Sequence, residues 1–267
     1  MLIGISGKMG SGKNLVCTII QGLTAAKKHN IENPSFEWIK KYYINSIWEQ
    51  KAFAGKLKDF VCMLIGCTRE QLEDHEFKNT ELPAEWDKFA FYRENTRRPL
   101  RIYSSKEEAE KDVKIFKGGK VEILKMTPRL LFQIIGTECI RDKVHPNAWV
   151  NALFADYKYE IHRSEVPTRA AGFIDQHVYP NWIITDMRFP NELEAVKSRG
   201  GITIRVNRPY TTVVGGNGIP ATFNQNQFHP SETSLDSATF DFVISNDKDI
   251  EHLINEVRKI LEKLNII

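Results

Sequence analysis

The sequence has no long apolar run: nowhere in its 267 residues is there anything near the roughly 18 uncharged apolar residues that a membrane-spanning helix needs. The stretch from Met1 to Lys8 lacks a basic region followed by an apolar one, so no secretory leader is expected and the location reads as cytoplasmic. Cysteine is scarce. Cys17, Cys62, Cys67 and Cys139 form no CxxC pair and no metal-ligand spacing, which argues against zinc and suits small buried hydrophobes in a reducing compartment. A surplus of one charge is also missing. The formal net charge is +3, and a nucleic-acid binder of this length is usually more basic, so no direct nucleic-acid binding is expected. Repeats and low-complexity tracts are absent. What is present, 42% hydrophobic residues, is enough to offset chain entropy in a folded protein.

Leu2-Ile3-Gly4-Ile5-Ser6 is a short apolar run that meets glycines at once, and reads as a buried strand. Leu15, Val16, Ile19, Ile20 and Leu23 then recur at helical spacing. Lys51-Ala52-Phe53-Ala54 predicts a second strand, and Leu57, Phe60, Val61, Leu64 and Ile65 the apolar side of a following helix. From about 86 to 126 the chain is rich in charge, with one charged helix expected around Lys106 to Lys114; this segment reads as an insertion. Leu130, Leu131, Ile134 and Ile135 mark a helix, with Pro128 in its first turn and Thr127 as its cap. Another helix is expected near Pro146, with Trp149, Val150 and Leu153 inward. Strands are predicted at Trp182–Asp186, Ile202–Val206 and Phe240–Ile244, and helices at Pro190–Arg199 and from Ile250 to Leu261. Between Arg208 and Thr233 lies a long glycine-containing loop. Strands alternating with helices imply a mostly parallel sheet covered on both faces, in one domain over 1–267 carrying the insertion and a lid loop at about 208–233.

Gly7-Lys8-Met9-Gly10-Ser11-Gly12-Lys13 satisfies the Gly-x4-Gly-Lys part of a phosphate-binding loop. Glycines let the backbone turn its N–H groups toward phosphate oxygens, the next helix adds its positive end, and the lysine reaches the outer phosphates. The bare pattern is only moderately specific; its place between a buried strand and a helix separates it from a plain glycine turn. Asn14 stands where Ser or Thr would hold magnesium, and an amide oxygen is a weaker ligand than a charged group, so metal contact by Asn14 or Asp186 is expected through water. Asp186 ends an apolar strand, where ligands collect in parallel sheets, and Arg188 two residues on suits a phosphate. The alternative for Asp186 is a cap on the helix that begins near Asn191. Arg129, Gln133 and Thr137 fall at i, i+4 and i+8 and share one helix face, either to hold a phosphate and read a base edge or as a solvated stripe.

With these pieces in order, the chain resembles the deoxynucleoside monophosphate kinases encoded by tailed phages, a branch of the phosphate-loop kinases. The residues that carry the resemblance begin with Ser6 to Asn14, where family members often have Asp after the lysine, and with Phe53-Ala54-Gly55-Lys56-Leu57-Lys58-Asp59. The Arg129 helix with Gly136-Thr137-Glu138, Asn147-Ala148-Trp149 and Thr185-Asp186-Met187-Arg188 follow. Arg208-Pro209, His229-Pro230-Ser231-Glu232 and Ile244-Ser245-Asn246-Asp247 complete it, while the charged insertion does not match. The resemblance implies a three-layer α/β/α kinase fold, ATP and Mg2+, and a deoxynucleoside 5′-monophosphate as acceptor, in a homodimer and, for a phage-encoded chain, in the host cytoplasm. By the same resemblance Lys13 and the Gly7, Lys8, Gly10, Ser11, Gly12 and Asn14 segment bind ATP, and Lys58, Arg129 and Arg188 hold the acceptor phosphate. Lys78 stands where the family tends to have arginine on that phosphate; Gln133, Thr137 and Trp149 line the nucleoside pocket; Asp186 serves the sugar or the metal's water shell; Glu232 organises a cation. Arg97, Arg98, Arg205 and Arg208 are candidates to act from a lid. The rivals are a related small-molecule kinase, such as one acting on dephospho-coenzyme A, and a nucleic-acid-stimulated ATPase.

Overall fold

A computed structural model of the chain describes every residue except 95, 97, 98, 166–172 and 210–232, with 162–165 and 173–175 described by backbone alone. In chain order its elements begin with β1 (Leu2–Ser6), α1 (Lys13–Lys28), α2 (Phe36–Tyr42), β2 (Trp48–Lys51), α3 (Ala54–Ile65), α4 (Arg69–Glu73) and α5 (His75–Asn79). Next come β3 (Lys88–Tyr92), β4 (Arg101–Tyr103), α6 (Lys106–Ile115), β5 (Lys120–Leu124) and α7 (Pro128–Gln133), which runs into a π-helical stretch (Ile134–Arg141). The chain continues through α8 (Ala148–Phe154), β6 (Glu160–Glu165), β7 (Phe173–Val178), β8 (Asn181–Met187), α9 (Pro190–Lys197), β9 (Ile202–Asn207), β10 (Phe242–Ser245) and α10 (Ile250–Lys263). These elements form two compact units, one of Met1–Gly55 with Asn147–Ile267 and one of Lys56–Pro146.

The first unit is built on a five-stranded sheet in the order β10-β9-β1-β8-β2, with every pair parallel. Alternation along β1 sends Ile3 and Ile5 to one face, where they pack with Val16, Ile19, Ile20 and Leu23 of α1 and Leu253, Ile254, Val257 and Leu261 of α10. Leu2 goes to the other face, with Trp182, Ile184 and Met187 of β8, Leu193 and Val196 of α9, and Val150, Leu153 and Phe154 of α8. Apolar side chains on both faces are why these strands read as near-continuous hydrophobic runs. The result is the three-layer α/β/α arrangement of the phosphate-loop kinases, with β1 in the middle and its C-terminal end feeding the glycine loop. The glycine of β1 is needed for this packing: a Cβ on Gly4 would lie 3.1 Å from a Val196 methyl and 3.2 Å from Met187 Sδ, so α9 approaches the sheet over bare backbone. A two-stranded antiparallel pair, β6 with β7, completes the unit and was not visible as period or turn in the sequence.

One predicted strand lies elsewhere. The second strand spans Trp48–Lys51, not Lys51–Ala54. The backbone N–H groups of Phe53 and Ala54 are bonded to the Asp186 carboxylate, which starts α3 at Ala54 and withdraws those donors from a sheet ladder. Phe53 keeps its apolar role by a different route, buried edge-on against Phe154 at 6.0 Å. Expectations for the later elements agree closely: Val150 and Leu153 are buried in α8 with Trp149 half-buried, and Thr127 caps α7 by accepting from Leu130 N at 3.2 Å.

The second unit contains α3 beyond Gly55, the short α4 and α5, a three-stranded antiparallel sheet in the order β4-β3-β5, and α7 with its π-helical continuation. The charged helix expected around Lys106 is α6. It lies against the sheet through Ala109 and through Asp112, a buried carboxylate that Arg101 and the Tyr103 hydroxyl both donate to. Because α6 is anchored by a buried charge rather than an apolar stripe, the segment showed no sustained period.

Candidate active site

The loop after β1 is shaped by close approaches that only glycine allows. A Cβ on Gly7 would lie 2.4 Å from Ser11 Oγ and 2.6 Å from the Val206 carbonyl. Gly12 has φ +99° and faces Asn246, whose amide nitrogen a Cβ would meet at 2.5 Å. That amide donates to the Ser11 carbonyl at 2.9 Å, and Asn246 N donates to the Asn207 carbonyl at 2.7 Å, so the end of β10 clamps the loop. Lys13 Nζ donates to the carbonyls of Gly7 (2.6 Å) and Lys8 (2.9 Å), which curls the loop around its ammonium. Helix α1 starts here with no side-chain cap and no acid in its first turn, leaving its positive end to the loop. Ser11 Oγ is buried and finds no hydrogen-bond partner among the described residues. Backbone donors, a lysine and a buried hydroxyl without a partner are the donor set that phosphate oxygens require.

Around this loop the first unit assembles groups that sequence reasoning named only loosely or missed. Arg205, on β9 next to β1, donates to Ser6 Oγ at 3.1 Å and to Asp236 at 2.7 Å, with its side chain only 12% exposed. The other Asp236 oxygen lies 3.1 Å from Lys8 Nζ, so one carboxylate ties the loop's lysine to the strand's arginine. Arg208 reaches the Gly10 carbonyl at 3.4 Å. Asp236 sits beyond the long loop and 228 positions from Lys8 by their numbering, and no local signal links the two.

Asn14 is exposed at the start of α1, and its side-chain oxygen accepts from Gln50 Nε2 at 3.5 Å, while the same nitrogen donates to Thr185 Oγ1 at 3.2 Å. Thr18 turns back on its own helix and donates to the Asn14 carbonyl at 3.1 Å. Asp186 accepts from Phe53 N at 2.7 Å and Ala54 N at 2.9 Å, one bond to each carboxylate oxygen. It is a helix cap, but of α3 rather than of the helix near Asn191. That helix is closed by buried Glu192, which accepts from Arg188 N (2.7 Å) and Phe189 N (3.1 Å). Arg188 is half-buried at the end of β8, and Asn147, beside Trp149, accepts from Asn191 at 2.8 Å. Glu232 lies outside the described residues, as do Arg97 and Arg98.

In the second unit, two expected phosphate ligands meet at one carboxylate, and a third bonds a residue next in sequence to one of them. Lys58 of α3 and Lys78 of α5 both contact the Glu73 carboxylate that ends α4. Asn79, next to Lys78, accepts from Arg129 Nε at 2.9 Å. Burial alone would raise the Glu73 pKa, but the hydrogen bonds and charges of Lys58 and then Lys78 outweigh it and hold the carboxyl below its usual range. Gln133 and Thr137 are exposed on the same continuous helical stretch as Arg129, itself exposed. From Ile134 the helix widens to π geometry. Gly136 sits in this stretch against Leu57, whose methyl a Cβ would meet at 2.7 Å.

Comparison with known proteins gives the family. Residues 1–257 match the model of the family described as deoxynucleotide monophosphate kinase. The chain belongs to the deoxynucleotide monophosphate kinase family. It is 23% identical to the deoxynucleotide monophosphate kinase of Enterobacteria phage T4 over 278 aligned positions, covering 98% of this chain and 99% of that one. It is also 26% identical over 132 residues to a protein of Acanthamoeba polyphaga mimivirus provisionally given the same name, a match spanning 49% of this chain and 59% of the relative. The chain is therefore a nucleotide kinase, a phosphotransferase. Among the described residues no helix is long and apolar enough to cross a membrane.

Proposed function

We propose that this kinase transfers the γ-phosphoryl group of ATP to a deoxynucleoside 5′-monophosphate. An oxygen of the acceptor phosphate bonds to the γ-phosphorus, the bond to the β,γ-bridging oxygen breaks, and ADP and the deoxynucleoside diphosphate leave. The observation that supports the reading is the pairing of Lys58 and Lys78 on one carboxylate, with Arg129 bonded to Asn79 beside Lys78, apart from the residues of the phosphate loop in sequence. A nucleotide hydrolase needs the loop; a nucleotide kinase needs a second set of cations for a second phosphate.

Phosphoryl transfer asks little covalent chemistry of the protein, and much positioning and charge neutralisation. On the donor side, the Gly7–Gly12 backbone and Ser11 receive phosphate oxygens, and Lys13 exchanges the two loop carbonyls for the outer phosphates. On the acceptor side the roles follow the resemblance: Lys58, Lys78, Arg129 and Arg188 as ligands of the monophosphate, and Gln133, Thr137 and Trp149 for the nucleoside. Magnesium supplies charge neutralisation and orientation of the phosphates when bound. Asn14 and Asp186 already accept hydrogen bonds from Gln50 and from α3, which suits contact with the ion's water shell rather than direct ligation. The lid role expected of the loop at about 208–233 with Glu232 and of the segment at 86–126 stays part of this reading; residues 210–232, 95, 97 and 98 lie outside the described residues. The chain works in this reading as a homodimer in the host cytoplasm.

The test is ADP release with ATP and magnesium against each deoxynucleoside monophosphate, dephospho-coenzyme A and DNA. Release that needs a deoxynucleoside monophosphate, and that collapses in Lys13→Ala and Arg129→Ala, is the expected result. Release driven by DNA, or by dephospho-coenzyme A in preference to every monophosphate, would overturn it.

A further inference from the structure

Glu73 ends the five-residue helix α4, and α3 and α5 bring a lysine to each of its carboxylate oxygens. One oxygen contacts Lys58 Nζ, and the other lies 3.5 Å from Lys78 Nζ, which also donates to the Glu73 carbonyl at 3.1 Å. Through Asn79 the cluster extends to Arg129. A single exposed ion pair contributes little to stability, so one lysine would have added little as a brace for α4, and a second adds little more. The pattern here differs in two ways. A different oxygen of one planar anion faces each ammonium, which is how a phosphate group spans two lysines. The anion is also the solvent-facing member: the Glu73 side chain is 52% exposed, against 25% for Lys58 and 23% for Lys78. An anion arriving from solvent meets Glu73 first, and Glu73 has room to leave without repacking its neighbours.

We propose that Glu73 is the resident counter-anion of the acceptor site. Its carboxylate neutralises Lys58 and Lys78 in the free protein and gives way to the acceptor's phosphate. The inference rests on reading Lys58 and Lys78 as acceptor-phosphate ligands. A phosphate monoester carries nearly two negative charges near neutral pH, against one for the carboxylate, so it wins the exchange for a pair of ammonium groups. Glu73 thereby weakens the acceptor's apparent affinity, and its return to the lysines assists departure of the product.

Removing the competitor therefore tightens binding. In Glu73→Gln and Glu73→Ala the KM for the deoxynucleoside monophosphate falls ~3–10-fold, the scale of two exposed ion pairs, with no rise in kcat and an unchanged KM for ATP. A brace for α4 would give the opposite sign. Binding of inorganic phosphate, followed by 31P line broadening, tightens by a similar factor in both variants and needs no turnover. KM and phosphate affinity within twofold of wild type, or weakened, in the folded variants would overturn the role of Glu73 while leaving the kinase reading intact. Wild-type protein without monophosphate-dependent turnover would instead overturn the kinase reading, and the phosphate measurement would still decide whether Glu73 competes with an anion for these lysines.

Discussion

Replacing Asp186 tests whether the acid at the end of β8 builds the fold. Its two carboxylate oxygens accept from consecutive backbone N–H groups, Phe53 at 2.7 Å and Ala54 at 2.9 Å. Asp186→Ala leaves both donors at the start of α3 without their partner. A hydrogen bond to a charged group contributes about 1.5–3 kcal/mol net. Asp186 is half-buried, so water replaces part of what is lost, and two bonds at the lower end of that range give about 2–4 kcal/mol. For a chain of this size, with about 2–4 °C per kcal/mol, the midpoint falls by roughly 5–15 °C. Asp186→Asn keeps one acceptor and turns an NH2 group toward the other donor, so it costs at least half as much. Guanidinium unfolding followed by tryptophan fluorescence is a suitable assay, because Trp38, Trp48, Trp149 and Trp182 all belong to the unit that contains Asp186. An Asp186→Ala midpoint equivalent to less than about 0.5 kcal/mol of destabilisation would refute the cap, since changes on that scale are ordinary at uninvolved surface positions.

Other consequences follow from the same geometry. Burial pushes the Cys17 thiol up to about 12, whereas Cys139 is exposed; an alkylating reagent at pH 8 should label Cys139 in the native protein and Cys17 only after unfolding, read by mass spectrometry. Burial would raise the pKa of Asp241, but the hydroxyl and N–H of Thr203 hold it below its usual value. Its contribution to stability is thus complete above the unfolded-state value of about 3.9 and lost as pH falls through the lower folded value, so Asp241→Asn should flatten the acid limb of a stability-against-pH curve. Asp236→Asn should cost about 1–2 kcal/mol in denaturant unfolding, because Arg205 stays largely enclosed beside Ser6 while it and Lys8 lose their shared anion. A stability equal to wild type would show that the carboxylate is not what ties the loop to β9.

The parts of the fold that follow from local pattern were legible in the sequence. β1 and β8 are buried on both faces and therefore continuous in apolar residues; α1, buried over most of its surface, and α10, buried along one stripe, carry apolar residues at helical spacing; Thr127 and Pro128 announce the start of α7. The phosphate loop was legible for the same reason, since close backbone approaches at Gly7 and Gly12 demand glycine. What stayed hidden depends on partners far away in the chain. The start of α3 is fixed by Asp186, 132 residues beyond Ala54, so a local reading extended a strand into it. The β4-β3-β5 sheet buries Ala90 and Phe91, with Phe91 stacked on Phe116, and holds the buried Asp112, but its strands are short and lie in a charge-rich segment that masked them. The π-helical form of the stretch after Gln133 likewise left no local mark in the sequence. Asp236 and Gln50, which contact Lys8 and Asn14, had no motif to mark them.

The most direct test of the proposed phosphoryl transfer follows the phosphorus itself. Protein, magnesium, γ-labelled ATP and a single deoxynucleoside monophosphate are mixed, and the labelled products are separated. The account predicts label in the deoxynucleoside diphosphate, one for each ADP formed, and no transfer in Lys13→Ala. Label that appears only as inorganic phosphate, with every monophosphate recovered unchanged, would contradict it.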